Sequence, residues 1–258
     1  MTDQRERILD QFTRQAAPFA SAPSIRDENA LQLVVAETGA GADDRVLDVA
    51  CGPGLLACAF ARVARDVVGI DLVPAMLDQA RSHQAALGLG NVTWRLGDVE
   101  PLPFEDAFFD VVTCRYAVHH FANPTAVVRE MARVCRPGGR VTVVDVAASP
   151  DPAKARAFNQ MEVWRDPSHV RALPETELLE LFAAAELPPS RRAAYLLETE
   201  LEAVLGRSFP DPGDAERVRE AVTATVADDR LGVPARRDGE HVIFGYPVVV
   251  LSAVKKGG

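Results

Sequence analysis

The sequence has few of the features that mark secreted, membrane-spanning or nucleic-acid-binding proteins. Four cysteines occur in 258 residues, with no C-x-x-C pair and no zinc-ligand spacing, so we expect reduced thiols, no metal site and a cytoplasmic location. The first residues are too charged for a signal peptide, and no apolar run reaches the length of a membrane span. Basic residues are outnumbered: 28 Lys and Arg stand against 37 Asp and Glu, and the net charge of −9 argues against nucleic acid or an anionic membrane as a partner.

Residues 46–54, which read Val-Leu-Asp-Val-Ala-Cys-Gly-Pro-Gly, are the segment around which the chain is organised. They predict a buried strand and a glycine turn, followed by a helix that begins near Leu55. Because Gly52 and Gly54 have no side chain, the backbone at these positions can approach a ligand closely. The unpaired N–H groups at the start of the helix would point at the same turn. The segment therefore predicts a cofactor cradle.

This glycine pattern is compatible with two cofactors. Residues 52–57 fit the G-x-G-x-x-G/A fingerprint, and Asp71 follows Gly52 by 19 residues, as the ribose-binding acid of a nicotinamide dinucleotide site would. Asp48, however, ends the strand and would point into the cradle, where a carboxylate would repel a pyrophosphate. S-Adenosylmethionine carries an ammonium, a sulfonium and no phosphate, so Asp48 favours this cofactor over NAD.

Residues 46–54 resemble the first motif of the class I S-adenosylmethionine-dependent methyltransferases. The most similar branch acts on small molecules and includes the C-methyltransferases of ubiquinone and menaquinone synthesis. The resemblance covers roughly Asp44 to Val146, with one departure at Ala50, where many relatives have glycine. Further motifs follow in the family's order at residues 68–71, 97–104, 109–112 and 136–139. The resemblance implies an α/β fold with a Rossmann-like, seven-stranded, mostly parallel sheet, helices on both faces and a closing antiparallel hairpin.

The predicted cofactor residues cluster at the ends of the first three strands. Asp71 can accept hydrogen bonds from both ribose hydroxyls, which the order of the motifs favours. Its alternative role, capping the next helix, is compatible with this one. The resemblance implies that Asp98 accepts from the adenine amino group and that the Val99 N–H donates to a ring nitrogen; a loop-capping role for Asp98 is the alternative. For Met76 the alternative is core packing. The full predicted set is Asp48, Ala50, Gly52, Gly54, Asp71, Leu72, Met76, Asp98, Val99 and Arg115.

Three histidines are candidates for the catalytic base. Methyl transfer requires alignment, exclusion of water and removal of a proton from a protonated acceptor. His119 and His120 follow the fourth predicted strand, which the resemblance places near the transferable methyl group, and His169 is a further candidate. The ordinary pKa of histidine suits this task. The alternative is that these imidazoles only hold the loop in place.

The resemblance also implies a helical lid over residues 1–40 and a methyltransferase domain over residues 41–258, with a substrate-side insertion at about residues 150–189. Residues 16–24 are rich in Ala, Pro and Ser and predict a loop within the lid. The alternative for residues 1–40 is that their helices only cap the edge of the sheet. The alternative for the insertion is a solvated helix-turn-helix corner. The predicted substrate-binding residues are Phe12, Phe19, Trp164, Arg165 and Arg171.

These observations predict an S-adenosylmethionine-dependent methyltransferase that releases S-adenosylhomocysteine. Its partner would be a small-molecule acceptor, methylated on the oxygen of a phenol, enol or carboxylate in preference to an activated ring carbon. A cofactor-binding regulatory protein without turnover is the alternative, and an NAD(P)-dependent oxidoreductase is the third hypothesis. The chain is expected to be a monomer or homodimer.

Overall fold

The fold is known from a computed structural model that describes residues 4–256. Its strands are β1 (Arg45–Val49), β2 (Asp66–Asp71), β3 (Val92–Leu96), β4 (Phe109–Arg115), β5 (Cys135–Val146), β6 (Arg191–Glu200), β7 (Ala235–Asp238) and β8 (His241–Val254). Its helices are α1 (Gln4–Ser21), α2 (Glu28–Thr38), α3 (Leu55–Ala61), α4 (Pro74–Ala86), α5 (Pro124–Val134), α6 (Pro152–Arg165), α7 (Glu175–Ala184), α8 (Leu201–Ser208) and α9 (Asp214–Asp228).

The strands form one sheet in the order β3-β2-β1-β4-β5-β8-β6, and β7 pairs with β8. β1 to β5 are parallel, and β8 runs antiparallel to β5, β6 and β7. This confirms the predicted fold class, with the short β7 as an additional strand. The direction of strand addition reverses between β1 and β4, and in open α/β sheets ligands bind in the crevice at such a switch point.

β1 is buried on both faces, which explains its uninterrupted apolar character apart from Asp48. Val46 belongs to the core on the side of α2 and α3. Leu47 and Val49 belong to the core on the other side, together with residues of α5 and α7. The alternation of a strand therefore places Asp48 within a layer that is otherwise apolar.

The predicted loop over residues 16–24 is wrong for residues 16–21, because α1 continues to Ser21 with Pro18 inside it. Proline removes one helical hydrogen bond and is unfavourable in a helix interior. Ala16 is buried, and Phe19 packs against two of the hydrophobic cores. We attribute the extra turn of helix to this burial, which composition does not reveal.

Residues 136–139, which carry the last of the family's motifs, lie inside β5 and do not form a separate turn before it. These residues bulge out of the pairing between β4 and β5. Gly138 has a φ of +78°, and a Cβ at Gly139 would lie 2.6 Å from the carbonyl oxygen of Asp110. Both glycines are required by the bulge.

Among residues 4–256, no helix has the length and apolar character needed to cross a bilayer.

Gly54 is required for packing between α3, α4 and β3. Its φ is +74°, and an added Cβ would lie 2.4 Å from Cη2 of Trp94 and 2.9 Å from Cβ of Ala80. Gly54→Ala should therefore lower the free energy of unfolding by about 2–4 kcal/mol, from overpacking and a strained left-handed backbone. Urea unfolding monitored by circular dichroism measures this loss.

Gly88→Ala is the matched control, because Gly88 has a φ of +65° but nothing within 4 Å of an added Cβ. This variant should lower the free energy of unfolding by about 1–2 kcal/mol, which is the backbone strain alone. Equal losses in the two variants would show that the indole yields and that packing does not demand glycine at position 54.

Candidate functional site

A cavity of about 930 Å³, its open mouth included, lies at the carboxyl ends of β1, β2 and β3, and we call it the carboxylate cavity. It brings together every predicted cofactor residue except Gly54: Asp48, Ala50, Gly52, Asp71, Leu72, Met76, Asp98, Val99 and Arg115. Parallel strands end at the same edge of the sheet, which is why these residues meet there.

Asp48 is the most unusual group in the carboxylate cavity. Its Oδ1 accepts a hydrogen bond from Oγ1 of Thr113 at 3.2 Å, while its buried Oδ2 has no partner among the described residues. Burial raises the pKa of this carboxyl to about 7. Buried polar atoms are almost always paired, so the free oxygen marks a position for a donor or a cation from outside the chain.

Asp71 holds the glycine turn in place. Its Oδ2 accepts the N–H of Gly52 at 2.8 Å, and its Oδ1 accepts the N–H of Val73 at 2.9 Å. Burial raises the pKa of Asp71 to about 6. Each carboxylate oxygen keeps a second lone pair, so this structural role leaves acceptors available to a ligand in the cavity.

Asp98 and Val99 follow β3 at the rim of the carboxylate cavity. Oδ1 of Asp98 accepts the N–H of Val99 at 2.7 Å, and Oδ2 lies 3.6 Å from Nε of Arg5. Asp98 is exposed, so this ion pair with α1 contributes little to stability. The side chain can turn away from its own loop at small cost, which would free an acceptor next to a donor.

Arg115 supplies a positive charge to the same cavity. One Nη donates to the carbonyl oxygen of Ile25 at 3.0 Å, and the guanidinium stacks on the ring of Tyr116 at 4.3 Å. Its buried Nε has no hydrogen-bond partner within residues 4–256. The carboxylate cavity thus contains one unsatisfied acceptor, on Asp48, and one unsatisfied donor, on Arg115.

The turn between these groups has a left-handed backbone. Ala50 and Gly52 both have a φ of +53°, and a Cβ at Gly52 would meet nothing within 4 Å. Alanine is strained in this conformation, and such strain is concentrated at functional sites. Gly54 lies outside the cavity, and its missing side chain serves the packing described above.

A second cavity of about 620 Å³, which we call the arginine cavity, adjoins the first. Both are lined by Phe12, Phe19, Ile25, Tyr116 and His120. The arginine cavity alone is lined by Gln15, His119, Val146, Glu162, Arg165, Asp166, Leu197, Val204, Arg207, Ser208 and Tyr246.

His119 forms a buried pair with Asp145, the penultimate residue of β5. Its Nδ1 lies 2.5 Å from Oδ1 of Asp145, and its backbone N–H donates to Oδ2 at 3.2 Å. Since the carboxylate accepts, we assign the proton of the neutral ring to Nδ1 and the lone pair to Nε2. Burial lowers the pKa of His119 but Asp145 raises it, and the net value is above the ordinary 6.5. The arrangement is that of an oriented base.

His120 is kept neutral beside this pair. Burial and the neighbouring His119 lower its pKa to about 4. Its Nδ1 donates to the carbonyl oxygen of Ser168 at 3.0 Å, and its ring packs against the edge of Phe12. His120 therefore forms a neutral part of the wall that the two cavities share.

His169 lies behind the wall and lines neither cavity. Its Nε2 lies 2.8 Å from Oδ1 of Asn159, and burial moves its pKa well below the ordinary value. Its ring centre is 5.5 Å from that of His119. The structure thus brings all three predicted histidines into one cluster, but only two of them face a cavity.

Helix α1 covers the cavities and is attached by glutamines on its inner face. Nε2 of Gln4 donates to the carbonyl oxygens of His120 and Ser168, at 3.1 and 2.7 Å. Gln11 donates to the carbonyl oxygen of Ser208, and Gln15 donates to Oδ2 of Asp166 at 3.1 Å. Phe12 and Phe19 lie on the same face and point their rings into the cavities.

The three substrate residues predicted in the insertion have different positions. Arg165 lines the arginine cavity, where it is paired with Glu162. Arg171 is exposed and forms two hydrogen bonds with Glu177, and Trp164 stacks near Arg217. Neither Arg171 nor Trp164 lines either of the two cavities.

Sequence reasoning missed Asp145, Arg207 and Tyr246. Asp145 did give a signal, because it is a single carboxylate in the otherwise apolar end of β5, as Asp48 is in β1. Arg207 and Tyr246 lie far along the chain in segments whose patterns are those of ordinary helix and strand. Within the described part of the chain, no group of three or more His, Cys, Asp or Glu is arranged to hold a metal ion.

Comparison with known proteins identifies the family to which this fold belongs. Residues 47–143 match the family model described as a methyltransferase domain. The uncharacterised methyltransferase YcgJ of Bacillus subtilis is 29% identical over 250 residues, which cover 95% of this chain and 98% of YcgJ. The crystal structure of YcgJ superimposes with a TM-score of 0.78 at 30% identity, over 89% of this chain and 99% of that one.

This chain belongs to the class I methyltransferase family. The crystal structure of the BH2331 protein of Bacillus halodurans has the same fold, with a TM-score of 0.81 and 28% identity over 89% of this methyltransferase and 100% of that chain. A ubiquinone biosynthesis O-methyltransferase of Xanthomonas axonopodis is 41% identical, but over only 41% of this chain and 44% of its own length. Similarity to the latter covers less than half of either chain.

Proposed function

We propose that this methyltransferase binds S-adenosylmethionine in the carboxylate cavity and transfers its methyl group to a small acceptor in the arginine cavity. The acceptor atom is the oxygen of a phenol, enol or carboxylate. The observation that carries this proposal is the buried, unpartnered Oδ2 of Asp48 in the same cavity as the unpartnered Nε of Arg115. An amino acid zwitterion, with one ammonium and one carboxylate, satisfies both.

The remaining groups of the cavity match the rest of this cofactor. Asp71 has free lone pairs for the ribose hydroxyls, and Asp98 with the Val99 N–H offers the acceptor and donor that the edge of adenine requires. Met76 and Leu72 supply apolar contact surface. A nicotinamide dinucleotide would place its pyrophosphate near Asp48, where a second negative charge is repelled.

The bound cofactor supplies a methyl group that is already activated by its sulfonium. The protein must therefore align the acceptor, exclude water and take up a proton. His119 removes the acceptor proton at Nε2, while Asp145 keeps Nδ1 protonated and stabilises the imidazolium that forms. Phe12, Phe19 and helix α1 exclude water from the two cavities. His120 remains neutral and His169 supports the cluster from behind.

Titration calorimetry tests the cofactor. S-Adenosylhomocysteine should bind one site per chain, and NAD or NADP at the same concentration should not. Asp48 must be ionised to accept from the ammonium group, and its pKa is about 7. The affinity should therefore fall by roughly 30-fold between pH 7.5 and pH 5.5, with release of protons on binding at neutral pH.

Affinity that does not change with pH, or preferred binding of a dinucleotide, would contradict this assignment. Turnover is tested separately, by release of S-adenosylhomocysteine when small phenols and aromatic acids are offered with the methyl donor. Cofactor binding with no release for any acceptor would favour the regulatory alternative.

A further inference from the structure

Arg207 lines the arginine cavity from helix α8 and has no role in the steps above. One Nη donates to the carbonyl oxygen of Ala203 at 3.1 Å, and the other donates to Oγ1 of Thr199 at 3.3 Å. Both acceptors are neutral. Among residues 4–256, no carboxylate lies within 4.0 Å of this guanidinium, which is more than half buried. Burial accordingly lowers its pKa.

Arg165, the other cation of this cavity, is already neutralised. Its Nε and one Nη donate to Oε2 of Glu162 at 2.9 and 2.7 Å, and the other Nη lies 3.9 Å from Asp166. Oε1 of Glu162 accepts from the hydroxyl of Tyr246 at 3.0 Å. This network satisfies its own members, so Arg165 is not free to bind an anion without losing a buried ion pair.

The other charged groups at the arginine cavity are in contact with a group of opposite charge or with a histidine. Arg165 pairs with Glu162 and lies 3.9 Å from Asp166, and Asp145 pairs with His119. Of the described arginines that line this cavity, Arg207 alone has no carboxylate within ion-pair distance. A buried cation without a counter-ion is costly, and a ligand that carries one negative charge removes this cost. A dianion would be repelled by the carboxylates nearby.

We propose that Arg207 binds a carboxylate group of the acceptor and thereby selects an aromatic or similarly apolar monoanion. The apolar walls formed by Phe12, Phe19, Leu197 and Val204 fit the body of such a molecule. With its carboxylate on Arg207, a hydroxylated acid presents its hydroxyl to the part of the cavity that His119 lines. This inference rests on the proposed function, because it names the acceptor class for that reaction.

Fluorine NMR of the protein saturated with S-adenosylhomocysteine tests the inference, with 4-fluorobenzoate and 4-fluorobenzamide as probes. These probes have similar shapes and differ in charge. The wild-type protein should bind the benzoate at least about 10-fold more tightly than the benzamide. Arg207→Gln should weaken benzoate binding by at least about 10-fold and leave benzamide binding unchanged, while Arg207→Lys should retain part of the preference.

Arg237→Gln is the matched control, because Arg237 is an exposed arginine on β7 and should leave both affinities unchanged. Equal binding of the two probes to the wild-type protein, no binding of the benzoate, or an undiminished preference in Arg207→Gln would overturn the inference. Failure of S-adenosylhomocysteine to bind would contradict the proposed function instead. The two probes would then be compared on the ligand-free protein, where the same preference is expected.

Discussion

Replacing Asp48 with asparagine should weaken S-adenosylhomocysteine binding by about 150- to 5000-fold and at the same time make the ligand-free protein more stable. Asparagine has the same shape and can still accept from Thr113, but it cannot pair with an ammonium group. Loss of one partner of a buried ionic contact costs about 3–5 kcal/mol, which corresponds to this change in affinity. Calorimetry measures the affinity.

The stability effect has the opposite sign because the buried carboxylate is unfavourable when no ligand neutralises it. The pKa of Asp48 is raised from 3.8 to about 7 in the folded chain. The folded state therefore binds a proton more tightly than the unfolded chain, and its stability falls as the pH rises from about 4 to about 7. Asp48→Asn should show no such loss. Above pH 7 its melting temperature should therefore exceed that of the wild type by several degrees, and this difference should shrink towards pH 4.

Asp110→Asn is the control for this pair of effects. Asp110 lies at the opposite end of the sheet, where it accepts the N–H of Arg45 at 2.7 Å and pairs with Arg136. These donors outweigh the effect of burial and lower its pKa, so the variant should be less stable with unchanged ligand affinity. If Asp48→Asn binds S-adenosylhomocysteine as the wild type does, the carboxylate does not hold the cofactor and the proposed function loses its main support.

His119→Gln should lower the rate of methyl transfer by about 100-fold or more, while the affinity for S-adenosylhomocysteine changes by less than about twofold. The ring lines the arginine cavity and not the carboxylate cavity, so the substitution should change the rate of transfer without changing the affinity for S-adenosylhomocysteine. The measurement is the initial rate of S-adenosylhomocysteine release at saturating methyl donor, with an acceptor found by screening phenols and aromatic acids.

The pH profile distinguishes a base from a structural histidine. As the proposed base, His119 would act in its neutral form, and Asp145 holds its pKa above 6.5. The wild-type rate at saturating methyl donor should therefore rise with pH until this proton is lost. His119→Gln should remove that dependence. Asp145→Asn should also slow transfer strongly, because the imidazole loses the carboxylate that fixes its tautomer.

His241→Gln serves as the control, since His241 is exposed at the start of β8 and lines neither of the two cavities. Full activity in both His119→Ala and His120→Ala would assign these residues a structural role only. The three histidines would then act as a buried cluster that fixes the segment after β4.

How well the sequence predicts a residue of the site depends on how far apart in the chain the contacting residues are. The sequence predicted that Asp48, Asp71 and Asp98 lie close together. Asp48 and Asp71 stand near the ends of short apolar strands, Asp98 follows another, and parallel strands bring their carboxyl ends to one edge. The packing role of Gly54 was not predicted, because the indole that requires glycine there belongs to β3. The pairing of His119 with Asp145, 26 residues away, requires the order of β4 and β5 in the sheet.

The acceptor side was the least predictable part of the molecule. Arg165 lines the arginine cavity, but its charge is neutralised by Glu162, which lies one helical turn earlier on α6. Arg171, in the same run of sequence, pairs with Glu177 on the surface. Arg207 comes from α8, which reaches the cavity because the chain returns through the antiparallel strands β6 and β8. No local pattern separates these three arginines.

The sequence by itself determined the parallel sheet, the glycine turn and the three carboxylates that meet at the carboxylate cavity, because strand periodicity and turn chemistry depend on residues that are neighbours in the chain. Only the tertiary structure decided which histidine is oriented by a carboxylate, which arginine of the arginine cavity has no carboxylate partner and how α1 covers both cavities. Those properties depend on burial and on contacts between distant segments, and burial sets the cost of an unpaired charge.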